Sequence, residues 1–211
     1  MAFEFKKLTK RDYLTTTWSG GTTTQLAIFP PDAKYAERDF LWRVSSAAVN
    51  LEESDFTDLP DYERLIAALE GEMVLTHNGS EPIRLRPFQV HAFSGAEATH
   101  SRGRCTDFNL MLRRGRVEGS MEALQLTEQP LELASREGET LLLYCAAGRA
   151  LACQSSVPAS RAGHPEPSAA EPKDSYSNLT LAPGETLLLT GEGALTLTGP
   201  ARLLLCRIRT I

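Results

Sequence analysis

Short apolar or alternating runs make up most of the chain, and glycine, proline, asparagine and aspartate interrupt them so often that few segments carry helical periodicity. Alternation with a period of two between turn-forming residues is typical of β-strands. Asn78-Gly79 lies between two such runs and suits a hairpin turn with positive φ at both positions. Asp58–Glu63 and Arg114–Met121 are interpreted as loops or single helical turns. The pattern predicts an all-β sandwich or barrel with strands at Thr22–Phe29, Leu41–Val49, Arg64–Leu69, Glu72–His77, Ile83–Leu85, Gln89–Phe93, Asp107–Leu112, Glu122–Leu126, Leu131–Leu133, Thr140–Ala146, Leu151–Gln154, Leu179–Leu181, Thr186–Thr190, Ala194–Leu197 and Leu203–Ile208.

A weak internal repeat indicates that these strands form two halves. Leu85-Arg86-Pro87 through Gly95 and Leu181-Ala182-Pro183 through Gly191 share Leu, Pro and Gly at the same offsets. We therefore expect a single domain over residues 1–211, with halves at about 13–116 and 117–211. Residues 155–177 are rich in Pro, Ser and Ala, and we interpret them as a mobile loop inserted in the second half. A domain linker is the alternative, but only four short strands follow the segment.

Composition limits the partners and the compartment. The 211 residues carry 22 Lys+Arg and 27 Asp+Glu, for a net charge of -5, and an acidic chain is poorly suited to nucleic acid. No apolar leader is visible at the N-terminus, and no apolar run approaches the length that spans a bilayer. Four cysteines without a C-x-x-C pair give no support to a zinc or thioredoxin-like site. We expect a protein of the reducing cytoplasm, without a membrane or nucleic-acid partner.

The repeated Leu-x-Pro…Gly pattern after a Gly-Glu strand resembles the cupin family, a double-sheet jelly roll. In metal-dependent cupins a His-x-His pair and a Glu precede a conserved glycine. Counting back from Gly71 places Arg64 at the position of that Glu, and the histidine positions hold Thr57 and Leu59, or Phe56 and Asp58. Arginine cannot bind a divalent cation. The resemblance thus implies a barrel in which a fixed positive charge replaces the metal, and neither a metal nor a cofactor is expected.

Strand alternation identifies arginines that can face the barrel interior. Trp42 and Val44 share one face of their strand, and Arg43 and Ser45 share the other, but alternation alone leaves open which face is interior. An interior Arg43 can hold a carboxylate with two hydrogen bonds, whereas an outward Arg43 is merely solvated.

Arg64 shares its face with Ile66 and Ala68, and these apolar neighbours favour an interior position. Asp107 and Asn109 alternate with Phe108 and Leu110. They are expected either to orient an inward arginine and accept ligand donors, or to form the polar face of a strand.

The segment Thr15–Gln25 combines hydroxyl side chains with Trp18 and the Gly20-Gly21 pair. Glycines permit close backbone approach to a ligand or to another strand. An exposed edge strand, in which threonine merely reflects β propensity, is the alternative. The segment lacks the lysine and the spacing of a phosphate-binding loop.

Several motifs in one order resemble the HutD/Ves family. These are Trp18-Ser19-Gly20-Gly21, Thr23-Thr24-Gln25-Leu26-Ala27, Trp42-Arg43-Val44-Ser45-Ser46-Ala47, Phe56-Thr57-Asp58-Leu59-Pro60 leading to Arg64 and Gly71, Phe93-Ser94-Gly95, and Asp107-Phe108-Asn109-Leu110-Met111 with Arg113-Arg114-Gly115. The family resemblance implies a bicupin-like (RmlC-like jelly roll) fold. It also implies a role in histidine utilisation or in stress, through binding of a small carboxylate rather than through an established enzymatic activity. Where the family usually has Thr-Arg-Glu, this chain has the neutral Thr23-Thr24-Gln25.

Two functional hypotheses follow. In the first, the protein binds a small carboxylate without a metal and has no catalytic residue. Its predicted ligand-binding residues are Arg64, Arg43, Trp18, Thr23, Gln25, Trp42, Ser45, Asp107 and Asn109.

The second hypothesis is a metal-independent isomerase, epimerase or lyase that acts on a small acid or sugar. It needs a base, for which His91, Asp107 and Glu63 are the candidates. His77 and His164 are interpreted as surface residues, and a pure interaction scaffold is a third possibility. By analogy with other cupin-like barrels, a homodimer is expected.

Overall fold

The computed structural model describes residues 3–154 and 178–211, which form β-strands and one 3-10 helix, Tyr35–Glu37. The strands are β1 (Glu4–Leu8), β2 (Leu14–Trp18), β3 (Gly21–Phe29), β4 (Trp42–Val49), β5 (Glu53–Asp55), β6 (Tyr62–Gly71), β7 (Met73–His77), β8 (Ile83–Leu85), β9 (Val90–Ser94), β10 (Thr99–Arg102), β11 (Cys105–Arg113), β12 (Val117–Leu126), β13 (Leu131–Ser135), β14 (Glu139–Gly148), β15 (Ala150–Gln154), β16 (Leu179–Leu181), β17 (Thr186–Thr190), β18 (Gly193–Thr198) and β19 (Ala201–Thr210).

Two halves with the same topology repeat along the chain. In the first half, strands β4-β11-β6-β9 form one sheet and β5-β10-β7-β8 the other. The second half has the orders β12-β19-β14-β17 and β13-β18-β15-β16, so each strand number is eight higher than its counterpart. Strands β2 and β3 extend the first half beside β4, and β1 extends the second half beside β17. The predicted all-β fold with two cupin-like jelly-roll halves is confirmed.

Strand register shows which residues correspond between the halves. Gly71 pairs with Cys105 in the first half as Gly148 pairs with Ala201 in the second. A register shift follows in both, between Thr106 and Asp107 and between Cys145 and Ala147. Beyond the shift, the counterparts of Arg64, Asp107 and Asn109 are Leu141, Leu203 and Leu205 respectively.

The halves pack against each other through the outer faces of their larger sheets. Trp42, Val44 and Leu110 of the first half join Leu204 and Cys206 of the second in one buried apolar cluster. Because side chains alternate along a strand, the opposite faces of β4, β6 and β11 line the interior of the first half. This arrangement places Arg43 and Ser45 on the interior face, which alternation alone had left open.

The interior of the second half is filled with apolar side chains, mostly leucines, such as Leu141, Leu143, Leu203 and Leu205. In the first half the interior residues of β6 change character along the strand. Tyr62 belongs to one apolar cluster, Ile66 belongs to another, and Arg64 lies between them. Among the described residues, a polar band therefore crosses the interior of the first half and not that of the second.

Several predicted elements need correction. Strands β1, β5 and β10 were not predicted, because their apolar residues are too few to reveal an alternating pattern. The alternative interpretation of Thr15–Gln25 as an exposed edge strand is confirmed for β2, whose five residues are all exposed at the edge of their sheet. Residues 117–121, interpreted as a loop or helical turn, begin strand β12. The sequence did not reveal this part of the strand because only one of its faces is apolar. Asn78 and Gly79 have φ values of 52° and 72°, as the turn requires.

The Pro-rich segment 155–177, predicted to be a mobile loop, lies outside the described residues. Strands β15 and β16, which flank it, pair with each other within the second half. This pairing is consistent with an insertion within that half.

An arginine-lined cavity as the candidate functional site

A cavity of about 360 Å³ opens into the polar band of the first half. Strands β4, β6 and β11 form its base, and the β2–β3 hairpin, the segment around β5 and the 3-10 helix form its walls. Of the predicted ligand-binding residues it is lined by Trp18, Thr23, Arg43, Ser45, Arg64, Asp107 and Asn109. The structure thus brings together residues that are far apart in the sequence.

Arg64 is one of two buried cations of the site. Only 6% of the residue is exposed, and its guanidinium lies over the rings of Phe56 and Phe93, at 4.7 and 5.0 Å. Its Nη2 donates to Asn109 Oδ1 at 2.9 Å, whereas its buried Nε has no hydrogen-bond partner among the described residues. Burial lowers the pKa of Arg64 to about 10, which still leaves it charged at neutral pH. A buried, charged N–H without an acceptor is costly, so an acceptor from a ligand stabilises it.

Neutral groups hold Arg43. Its Nε donates to Gln25 Oε1 at 2.9 Å, and its Nη1 donates to Ser45 Oγ at 3.0 Å. Its guanidinium lies 4.4 Å from the centre of the Tyr35 ring. Burial lowers the pKa of Arg43 to about 10. Gln25 does not line the cavity, so its contribution is to position Arg43 without neutralising it.

Asp107 and Asn109 continue the network from Arg64. Asn109 Nδ2 donates to Asp107 Oδ1 at 2.8 Å, and both residues are buried. Burial raises the pKa of Asp107 to about 6, although the bond from Asn109 and the charge of Arg64 oppose the increase. Within the described ranges, no carboxylate oxygen lies within 4.0 Å of the guanidinium of Arg43 or Arg64. The two arginines therefore face the cavity without an ion-pair partner, although Asp107 and, at the rim, Asp55 also line it.

Trp42 does not contribute to the cavity, contrary to its prediction as a ligand-binding residue. It lies on the opposite face of β4 and stacks on Phe29, with ring centroids 5.8 Å apart, in the core between the halves. The alternation that directs Arg43 inward necessarily directs Trp42 outward.

Of the three candidate bases, only Asp107 lines the cavity. Glu63 lies on the outer surface, where its carboxylate pairs with Arg114 at 2.9 Å. His91 lies behind Phe93, its ring centroid 5.9 Å from that of Phe93. Any proton transfer at this cavity by one of these three groups would involve Asp107.

A histidine pair, of which His77 is buried and His91 partly buried, corrects the interpretation of His77 as a surface residue. His77 is 7% exposed, and its Nε2 lies 2.9 Å from His91 Nε2. Thr99 Oγ1 donates to the Glu97 carbonyl at 3.0 Å, so it accepts from His77 Nδ1 at 2.9 Å. His77 Nε2 is then an acceptor, and His91 donates to it. The ring centroids are 5.1 Å apart, which at this nitrogen separation requires the rings to meet edge to edge rather than stack.

Tyr35 is a cavity residue that the sequence did not reveal. It lies in the 3-10 helix between β3 and β4, on a segment without apolar periodicity. The centre of its ring is 4.1 Å from the Arg38 guanidinium. Phe56 was noted as part of a motif, but its contact with Arg64 depends on the pairing of distant strands. Neither contact leaves a local signal in the sequence.

The part of the chain that the structure describes contains no group of three or more His, Cys, Asp or Glu residues placed to hold a metal ion. Among residues 3–154 and 178–211 there is no helix of the length and apolarity needed to cross a membrane.

Two cupin-like jelly rolls, the first with an arginine-lined cavity and the second with a leucine interior, define a bicupin-like protein. The sequence profile of the HutD family matches residues 10–205, and the chain belongs to this family. A comparison with curated proteins finds no match.

Solved structures share the fold over almost the whole chain. A conserved protein of unknown function, PA5104 from Pseudomonas aeruginosa PAO1, is 25% identical with a TM-score of 0.76, over 99% of this chain and 100% of that one. HutD from Pseudomonas fluorescens SBW25 is 22% identical with a TM-score of 0.73, over the same shares. The bacterial pirin YhhW from Escherichia coli, solved in complex with nickel(II), is 8% identical with a TM-score of 0.64, again over 99% and 100%.

Proposed function

We propose that the protein binds a small carboxylate metabolite in the cavity of its first half and has a metabolic-regulatory role. The observation that carries this proposal is the pair of buried guanidinium groups, Arg43 and Arg64, without a carboxylate partner within 4.0 Å among the described residues. A guanidinium is suited to bind a carboxylate through two parallel hydrogen bonds. The unpartnered Nε of Arg64 is one such donor.

The remaining cavity residues suit the rest of a small metabolite. Trp18 offers an aromatic surface at the rim, and Thr23 and Ser45 offer hydroxyl groups that donate or accept. Asn109 and Asp107, on β11 at the base of the cavity, fix the orientation of Arg64. Membership of the HutD family supports a role in histidine utilisation, and a role in stress is the alternative within the wider resemblance.

A thermal-shift panel tests this proposal. We expect urocanate, formylglutamate, histidine or another small acid to raise the melting temperature, because a ligand at about 100 times its Kd stabilises the folded state by about 2.7 kcal/mol. Arg64→Leu, which installs the residue of the second half, is expected to abolish the shift. Arg114→Ala removes a surface arginine and serves as the matched control. An absence of any shift across the panel would contradict carboxylate binding.

A metal-independent isomerase, epimerase or lyase is the second candidate. It is favoured by Asp107, a buried carboxyl group on the cavity wall with a raised pKa. Incorporation of solvent deuterium into a bound acid, lost in Asp107→Asn, would support catalysis. Binding without any exchange or turnover would favour the first candidate.

The cytoplasmic location and the homodimer stay predictions. All five residues of β2 are exposed at the edge of their sheet, and a free edge of this kind can pair with another chain. Light scattering coupled to size-exclusion chromatography tests the dimer, and Thr16→Pro would disrupt edge pairing.

A further inference from the structure

We propose that the cavity binds its carboxylate together with a proton, and that Asp107 carries this proton and donates it as a hydrogen bond to the bound carboxylate. This inference rests on the proposed carboxylate binding and extends it to a second, simultaneous ligand. The proton comes from solvent, and the carboxyl group of Asp107 becomes neutral.

The position of Asp107 in the cavity favours this protonation. Asp107 is 3% exposed, lines the same cavity as Arg64, and has an interior position on β11 next to β6. An ionised Asp107 beside a bound carboxylate would put two negative charges into one buried site. Two carboxyl groups that share a site retain a proton between them, because both cannot ionise at low cost. The protonated carboxyl keeps its Oδ1 as acceptor for Asn109 and gains an O–H donor.

The charged and titratable groups that face Asp107 come from each neighbouring element. Arg64 of β6 and Arg43 of β4 keep their positive charges at neutral pH. Burial raises the pKa of the Cys105 thiol on the same strand to about 12, so this group stays neutral. Tyr35 of the 3-10 helix closes one side, and Asp55 at the rim is held by His100 Nδ1 at 2.8 Å.

The sign of the effect follows from proton linkage. In the free protein, burial raises the pKa of Asp107 to about 6, so most molecules have an ionised Asp107 at pH 7. A bound carboxylate raises this pKa further. Binding therefore takes up a proton when the pH lies between the pKa of Asp107 in the free protein and its pKa in the complex. We expect the affinity for a carboxylate to increase about tenfold as the pH falls from about 8 to about 6.

The alternative role of Asp107 is to accept a hydrogen bond from an ammonium or amide group of the ligand. The two roles respond oppositely to Asp107→Asn. The amide of asparagine still donates to a carboxylate and cannot ionise, so the proposal predicts tight, pH-independent binding. An acceptor of an ammonium group would lose its charge, and binding would weaken.

Isothermal titration calorimetry with formate is the experiment, since formate is a minimal carboxylate that remains ionised throughout the range. It is performed at about pH 8 and pH 6 in buffers of different ionisation enthalpy, which report the number of protons taken up. We expect uptake that approaches one proton at about pH 7 for the wild type and none for Asp107→Asn. His91→Leu, which installs the residue found at Leu187 in the second half, should keep the uptake and controls for the histidine pair.

The outcomes separate the two proposals. No binding of formate at any pH contradicts carboxylate binding itself. Binding of formate without proton uptake, or a loss of more than tenfold in Asp107→Asn at pH 6, overturns the present inference alone. Should Asp107→Asn fail to fold, the ¹³C signal of the Asp107 carboxyl in the wild type decides, because formate must shift its titration to higher pH.

Discussion

The two halves of the molecule share one topology and differ in what fills them. In the first half, a cavity wall is formed by Arg64, Asp107 and Asn109. At the corresponding positions the second half has Leu141, Leu203 and Leu205, all fully buried in one apolar cluster. The jelly-roll fold is therefore compatible with either interior. The polar band of the first half is not required by the fold, and the proposed carboxylate binding explains it.

The open end of the second half provides a second comparison, between the charges of two cavities. It has a cavity of about 410 Å³, lined by three arginines and three glutamates, namely Arg136, Arg207, Arg209, Glu118, Glu137 and Glu139. Arg207 pairs with Glu139 at 3.3 Å and Arg209 with Glu118 at 2.8 Å. This cavity is larger, but its charges are balanced at the surface. The two buried arginines of the smaller cavity have no carboxylate within 4.0 Å among the described residues, which makes that cavity the better candidate for an anion.

The largest effect is expected when the first interior is transferred into the second. Leu141→Arg places a guanidinium in a filled apolar interior without an Asn or Asp to receive it. We expect the free energy of unfolding to fall by on the order of 5 kcal/mol, a large part of the stability of a typical domain. Chemical denaturation measures this, with Leu141→Met as the volume-conserving control. A soluble, cooperatively folded Leu141→Arg protein would show that the second interior also accepts charge.

The reverse transfer should stabilise the protein and abolish binding. A triple variant, Arg64→Leu with Asp107→Leu and Asn109→Leu, copies the leucines of the second half. Replacement of a buried polar network by apolar residues is often stabilising by about 1–4 kcal/mol. Denaturation and formate titration on the same sample measure both effects. A less stable triple variant would indicate that the polar band supports the fold.

Stability should also depend on pH through Asp107. Its pKa rises from 3.8 in the unfolded chain to about 6 in the folded protein, so the folded state binds this proton more tightly. The resulting penalty is absent below 3.8, develops as the pH rises to about 6, and is then constant. Asp107→Asn is expected to stabilise by roughly 3 kcal/mol near pH 7.5 and by much less near pH 4. Asp58→Asn, at an exposed position, is the control, and an equal effect at both pH values would contradict this assignment.

The smallest effect concerns the uncompensated charge of Arg43. Gln25→Glu places a carboxylate at the acceptor of the Arg43 Nε bond. We expect the affinity for formate to fall about tenfold, because the new anion competes for the guanidinium. Thr24→Glu adds the same charge on the opposite face of β3 and should change the affinity little. An unchanged affinity for formate in Gln25→Glu would show that Arg43 does not bind the carboxylate.

Much of the site was accessible from the sequence because strand alternation is a local rule. It placed Arg64 inside through Ile66 and Ala68, and it paired Asp107 with Asn109. The sides of Trp42 and Arg43 could not be assigned, since both faces of β4 are buried, one by the second half and one by the first.

Other contacts could not be predicted because they join residues that are far apart in the sequence. His77 meets His91 and Thr99 only through three different strands. Tyr35 reaches the cavity from a segment between strands. The fold was recoverable because its repeat is visible as Leu-x-Pro…Gly, whereas the pairing that closes each barrel has no local signature.

The first strand of the chain has a consequence for the order in which the molecule can be completed. Strand β1 pairs with β17, and Glu4 lies opposite Thr190, near the far end of the sequence. Strand β1 is thus synthesised well before its partner β17, while β2 and β3, only a few residues on, join the other half. The segment from β1 to β3 therefore links the two jelly rolls, because β1 pairs in the second half and β2 and β3 pair in the first. A tag or truncation at this end would be felt first in the leucine-filled half, far along the sequence from the change.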